Sequence, residues 1–181
     1  MLALLVCAAL TLGALVSHLL HTSDPILPPR LFTSRVVLIS TIIVSLNATA
    51  LYNAMVFLPL YFQLVLGQSA SESGLLMAPM MLGLIFGSAG GGRLVSRSGK
   101  YKALTSFGLM LSTAMLVYLS WCSGQTHSVW PLVGGLVGLG FSLGLVMPTM
   151  TVAIQNAVDS RDLGVATSTS AYFRSLGGAL G

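Results

Sequence analysis

Gly92-Arg93-Leu94-Val95-Ser96-Arg97-Ser98-Gly99-Lys100-Tyr101-Lys102 decides the fold of this chain. The stretch sets four cations and two glycines between long apolar runs. A short basic turn between hydrophobic spans marks the cytoplasmic side of a membrane protein. Composition points the same way. Mean hydropathy is +0.91, and 7% of the 181 residues are charged, where a soluble domain carries roughly 25%. The chain reads as an all-α integral membrane protein, crossing a lipid bilayer several times. Its net charge of +4 is small and the cations gather at span ends, which argues against nucleic acid as a partner.

A spanning helix needs about 20 mostly apolar residues. Five segments reach that length: Leu2 to Leu20, Val36 to Leu66, Gly74 to Val95, Ala103 to Trp121, and Val129 to Ile154. A sixth helix starts near Leu163 and is cut off at Gly181. The domain map is thus a transmembrane helix over 1–20, a connection over 21–35, and a helical bundle over 36–181. The second span would reach roughly 46 Å as one helix, so tilt, a kink at Pro59 or protrusion must absorb the excess.

Parity fixes the orientation. The first, third and fifth connections share one side and carry Arg30, Arg35, Arg97, Lys100, Lys102 and Arg161, with Arg93 beside the third. The second and fourth, Gly67–Ser73 and Cys122–Ser128, carry no Lys or Arg. The Lys/Arg bias of short loops therefore turns the odd connections, 21–35 included, to the cytoplasm. Met1 then lies outside. Both ends look cut, so the expectation is a fragment of a larger transporter-like protein. A signal peptide over Met1–Leu20 would lack the basic n-region such peptides carry.

Glycines at Gly83, Gly87 and Gly91 fall on one face of the third span. Gly134 and Gly138, then Gly140 and Gly144, mark the fifth. Small-xxx-small faces let helices approach closely in lipid. Static packing and a sliding interface both fit this spacing. Polar residues of the second span include Asn47, Tyr52 and Asn53. An amide in hydrocarbon must face the bundle interior or a wet cavity. These residues either line a substrate path or bond between helices. Asn47 and Asn53 are six positions apart and do not share a face. Arg174 falls about eleven residues into the sixth helix, either interfacial or buried. All four acids, Asp24, Glu72, Asp159 and Asp162, fall in connections. A proton-coupled carrier would need its membrane carboxylate elsewhere. No metal ligand set, cofactor motif, nucleophile–base pair or phosphate loop is legible, so the chain does not read as an enzyme.

Gly92, Leu94, Arg97, Gly99 and Lys100 resemble the cytoplasmic loop signature of the major facilitator superfamily, Gly-x-Leu-x-Asp-Arg-x-Gly-Arg-Lys. Ser96 stands in place of its aspartate, so the charge–dipole lock attributed to that acid lacks its anion here. Pro28-Pro29-Arg30-Leu31-Phe32, Leu58-Pro59-Leu60-Tyr61-Phe62-Gln63, Gly67-Gln68-Ser69 and Ser73-Gly74-Leu75 extend the likeness. Gly164 to Gly181, with Arg174 and Gly177-Gly178, complete it. Together they are similar to the fourteen-helix drug:proton antiporter branch, multidrug efflux transporters of the EmrB/QacA type. On that resemblance, 1–20 matches the second extra central helix and the remainder begins the C-terminal bundle. It implies a multi-pass protein of the plasma (inner) membrane. It also implies efflux of hydrophobic or amphipathic small molecules, coupled to protons by alternating access. The missing N-terminal bundle would be the partner of this half. Asn47, Tyr52 and Asn53 become cavity candidates, and Gly92, Arg97, Gly99 and Lys100 a cytoplasmic conformational loop. The competing expectations are a truncated, non-transporting membrane protein and a membrane-embedded receptor or enzyme.

Overall fold

The computed structural model describes residues 34–125 and 129–181. The expected first helix, with Cys7 and His18, lies outside the described residues, as do His21, Asp24 and Arg30 of the connection after it and His127. Within them the chain forms five helices in order: α1 Arg35–Leu64, α2 Ala70–Ser98, α3 Tyr101–Gln125, α4 Val129–Gln155 and α5 Leu163–Leu180. Helices are the expected answer to a solvent that cannot hydrogen-bond to the backbone. Of these, α1 to α4 are long and apolar enough to cross a membrane. Each of α1, α2 and α4 continues through an internal proline: Pro59, Pro79 and Pro148 respectively.

Every helix lies within a few residues of its expected span, with α2 and α3 extended by two to four residues at each end. Hydropathy marks the hydrocarbon, whereas local stop signals set the helix ends. Gly99 ends α2 in the left-handed region at φ 64°, and its N–H donates to Val95 O. This is a common glycine stop. Only Gly99 and Lys100 separate α2 from α3. At the other end α2 opens with a capping box. The Ser69 hydroxyl accepts from Glu72 N–H at 3.3 Å, and Glu72 Oε2 accepts from Ser69 N–H at 2.8 Å.

The packing reproduces the expected parity. Val37 near the start of α1, Ile154 near the end of α4 and Ala166 near the start of α5 form one buried cluster. Tyr101, at the α2–α3 turn, packs against a neighbouring cluster with Val44, Val146 and Met150. These elements therefore meet at one end of the bundle. Arg35, Arg93, Arg97, Lys100, Lys102 and Arg161 all sit at or near it. At the opposite end Phe62, Met77, Cys122 and Leu132 share a core, and Tyr61 Oη donates to Ser123 O at 3.2 Å. Trp121 and Trp130 stand exposed there, where amphipathic rings favour the headgroup level.

The central helix is α4. Leu132, Leu136, Leu139, Leu143, Val146 and Met150 are all buried, with α2, α3 and α1 around them.

Candidate functional site

The closest helix pair is α2 with α4. A Cβ on Gly83 would collide with Val137 O, one on Gly87 with Phe141 O, and one on Gly91 would lie 2.9 Å from Leu145 O. The fit is reciprocal: a Cβ on Gly140 would collide with Met80 O and one on Gly144 with Leu84 O. Two backbones thus touch through glycines contributed by both helices, the geometry in which dispersion contacts hold membrane helices together. Gly134 departs from its expected packing role, since a side chain there would meet nothing within 4 Å. It lies on the exposed flank of α4, because its offset from Gly140 and Gly144 turns it off the α2 face. Gly138 packs on the flexible Met115 side chain of α3 instead.

The cations of the basic turn are accessible. Arg93, Arg97, Lys100 and Lys102 are exposed, and Gly92 is half-buried, with a Cβ there reaching only Pro148 at 3.9 Å. Ser96 donates to Arg93 O at 3.0 Å and Ser98 to Leu94 O at 2.6 Å. Both hydroxyls thus fold back onto their own helix.

The three polar candidates of α1 do not converge. Asn47 is buried and points at α4, where Nδ2 donates to Leu143 O at 3.2 Å. Its Oδ1 is buried with no hydrogen-bond partner among the described residues. Tyr52 is 47% exposed, and its ring lies where a Cβ on Gly178 of α5 would be. Asn53 donates to Thr49 O at 2.9 Å within α1, and its Nδ2 lies against Gly181. Asn47 therefore belongs to the α1–α4 contact, and the other two to the rim of the α1–α5 contact.

A polar seam between α1 and α5 escaped the sequence reading. Ser45 Oγ donates to Phe173 O at 2.9 Å, and Thr49 Oγ1 to Gly177 O at 2.7 Å. Gly177 permits this, since a Cβ there would collide with Ser45 O. The small-polar spacing Ser45, Thr49 opposite Gly177 was the available signal.

Arg174 lies on the other flank of α5. It borders a cleft of about 180 Å³ lined by Thr151 and Ile154 of α4 and by Thr167, Ser170 and Ala171 of α5. Its guanidinium is exposed, and its contact is Met147 Sδ at 3.8 Å. Counting from Leu163, Arg174 stands about 16 Å along α5. Counting back from Gln155, Met147 stands about 12 Å along α4. Both counts set Arg174 about two to three turns inward from the helix ends at the basic end of the bundle.

Long apolar helices, a basic turn between two of them, glycine-lined contacts and polar groups held between helices define a polytopic helical membrane protein. The chain belongs to the Major Facilitator Superfamily, whose sequence model it matches over residues 1–181. It is 36% identical over 182 residues to an uncharacterized MFS-type transporter of Mycobacterium tuberculosis, covering 98% of this chain and 26% of that protein. It is 35% identical over 176 residues to the multidrug transporter protein MdtP of Bacillus subtilis, covering 96% of this chain and 32% of that one. Identity to a tetracycline resistance determinant of Streptomyces rimosus is 30% over 158 residues, covering 87% and 45%. The chain thus spans 26% to 32% of the length of the first two relatives.

Proposed function

We propose that this chain forms part of a proton-coupled efflux transporter for hydrophobic or amphipathic small molecules, located in the plasma membrane. The observation that carries this reading is its likeness, over nearly all its residues, to proteins named for multidrug transport and tetracycline resistance. Activity would belong to the whole transporter, with this bundle rocking against a second one about a central site. Tyr52 and Asn53 are the proposed substrate-facing residues of α1, whereas Asn47 takes the other role open to it, a bond between helices. Gly92, Arg97, Gly99 and Lys100 are the proposed conformational loop. The glycine contact of α2 with α4 supports a rigid bundle that moves as a unit, because two touching backbones leave little room to slide. A carrier of this kind moves its substrate chemically unchanged and needs no cofactor.

The test is efflux of a fluorescent lipophilic cation from cells expressing the whole transporter, with and without an uncoupler. Uncoupler-sensitive efflux above the empty-vector control is expected. Efflux at the control level for dyes, tetracyclines and other amphipathic drugs would refute the reading.

A further inference from the structure

We infer that the cleft between the starts of α2 and α4 binds an organic cation with an apolar body, such as a tetraarylphosphonium or a quaternary ammonium. The inference goes beyond the transport reading and does not depend on it. The cleft exists because of where the glycine contact stops. Backbone meets backbone where Gly140 lies on Met80 and Gly144 on Leu84. Outward of Met80 larger side chains stand between the two helices, and a cavity of about 320 Å³ opens at their starts. Small-molecule sites begin at about that size. Leu75 and Leu76 of α2 and Val133 of α4 wall the cavity, and Trp130 of α4 borders it. Gln68 and Glu72 border it too. Glu72 carries the charge, and the capping box fixes its position. Its Oε2 accepts from Ser69 N–H and from Ser69 Oγ, each at 2.8 Å. Both bonds favour the ionised carboxylate. Among the described residues its Oε1 accepts no hydrogen bond, and the residue is exposed. The cap thus occupies one oxygen and leaves the other for a ligand.

Charge and shape together select the ligand. Trp130 is 82% exposed, and the face of an indole attracts an organic cation. The leucine and valine walls take the apolar body. A metal ion suits the cleft poorly, because it needs several oxygens around it. A phospholipid headgroup also fits less well, since its phosphate would need a cation. The connections at this end, Gly67–Ser73 and Cys122–Ser128, carry no Lys or Arg. Nor does α4, and the first cation of α2 is Arg93, near its other end. The site is therefore committed to a ligand that is cationic only. A place at the headgroup level accounts for Trp130, and the capping box accounts for Glu72. Neither accounts for an apolar cavity that both of them border.

The experiment follows Trp130 by fluorine NMR in the whole transporter, labelled with fluorotryptophan and held in phosphatidylcholine nanodiscs. W130F assigns the resonance. The probes are tetraphenylphosphonium and tetraphenylborate, which share a shape and differ in the sign of their charge. E72Q removes the carboxylate charge, and glutamine keeps the capping box. V133F fills the cleft and leaves the charge. Tetraphenylphosphonium should shift the Trp130 resonance saturably, and tetraphenylborate should not. E72Q should weaken the affinity about fivefold, the worth of one unit charge near contact in water. V133F should weaken it as well. Equal affinity in wild type and E72Q, or equal shifts with both ions, would overturn the site. A response unchanged by V133F would overturn it too, by placing the ligand elsewhere. So would an E72Q-sensitive response to added phosphatidylethanolamine with none to tetraphenylphosphonium, which would give the cleft to a lipid. If E72Q is not recovered as folded protein, V133F and the contrast between the two ions decide. Transport is scored separately: a protein that exports no dye counts against the transporter reading, and the Trp130 titration still decides the cleft.

Discussion

Replacing Gly87 by alanine adds a methyl group where there is no space. Its Cβ would lie 2.9 Å from the carbonyl carbon of Phe141 and 3.0 Å from its Cα, and would collide with the oxygen. Ordinary contact begins at 3.4 Å. The obstacle is backbone, so no rotamer change relieves it and α2 must move away from α4. Overpacking of this kind costs about 1–3 kcal/mol. Alanine returns about 0.5–1 kcal/mol of helix propensity, which leaves a net loss of up to about 2.5 kcal/mol. Gly90→Ala is the internal control. It lies on the same helix, three residues away, and its added Cβ meets nothing within 4 Å. That variant keeps the propensity gain alone, about 0.5–1 kcal/mol in favour of the folded state. The assay is reversible unfolding of the purified protein in mixed micelles of mild detergent and dodecyl sulfate, followed by helical circular dichroism. The two substitutions should move the midpoint in opposite directions. Equal midpoints for G87A and G90A would refute the backbone contact.

Further substitutions probe the other features. Gly99→Ala forces an L residue into the left-handed region at φ 64° and should cost about 1–2 kcal/mol in the same unfolding assay. Thr49→Val removes the α1–α5 bond to Gly177 O; a loss of about 0.6 kcal/mol is expected, and an unchanged midpoint would place α5 elsewhere. Arg97→Ala in the whole transporter should slow substrate turnover while leaving its amount in the membrane unchanged. Unaltered turnover would remove Arg97 from the conformational loop.

The helix order was legible because hydropathy reports the same requirement that makes spans helical. An apolar run long enough to cross lipid has no other backbone solution. The helix ends were less legible. Gly99 and the Ser69–Glu72 capping box set them by local hydrogen bonding, which an apolar average does not register. The glycine stripe at Gly83, Gly87 and Gly91 is visible as a period, and the structure sets it against α4. Gly134 shares a similar spacing and faces open space, because periodicity names a face without naming what covers it. The same gap separates Asn47 from Tyr52 and Asn53. Their angular offset on α1 was readable, but their neighbours, Leu143 on one side and Gly178 and Gly181 on the other, are set by tertiary packing. Arg174 stood out as a charge inside a helix. Its neighbour, Met147 of α4, became clear only once α5 was placed against that helix.

The most direct test of the membrane topology is thiol labelling in intact cells, in a protein with Cys7 and Cys122 replaced by alanine. Single cysteines at the exposed Ser71 and Ser98 stand at opposite ends of α2. An impermeant thiol reagent added outside should modify S71C and leave S98C unmodified until the membrane is opened. Modification of S98C from outside, or of both with equal ease, would contradict the account.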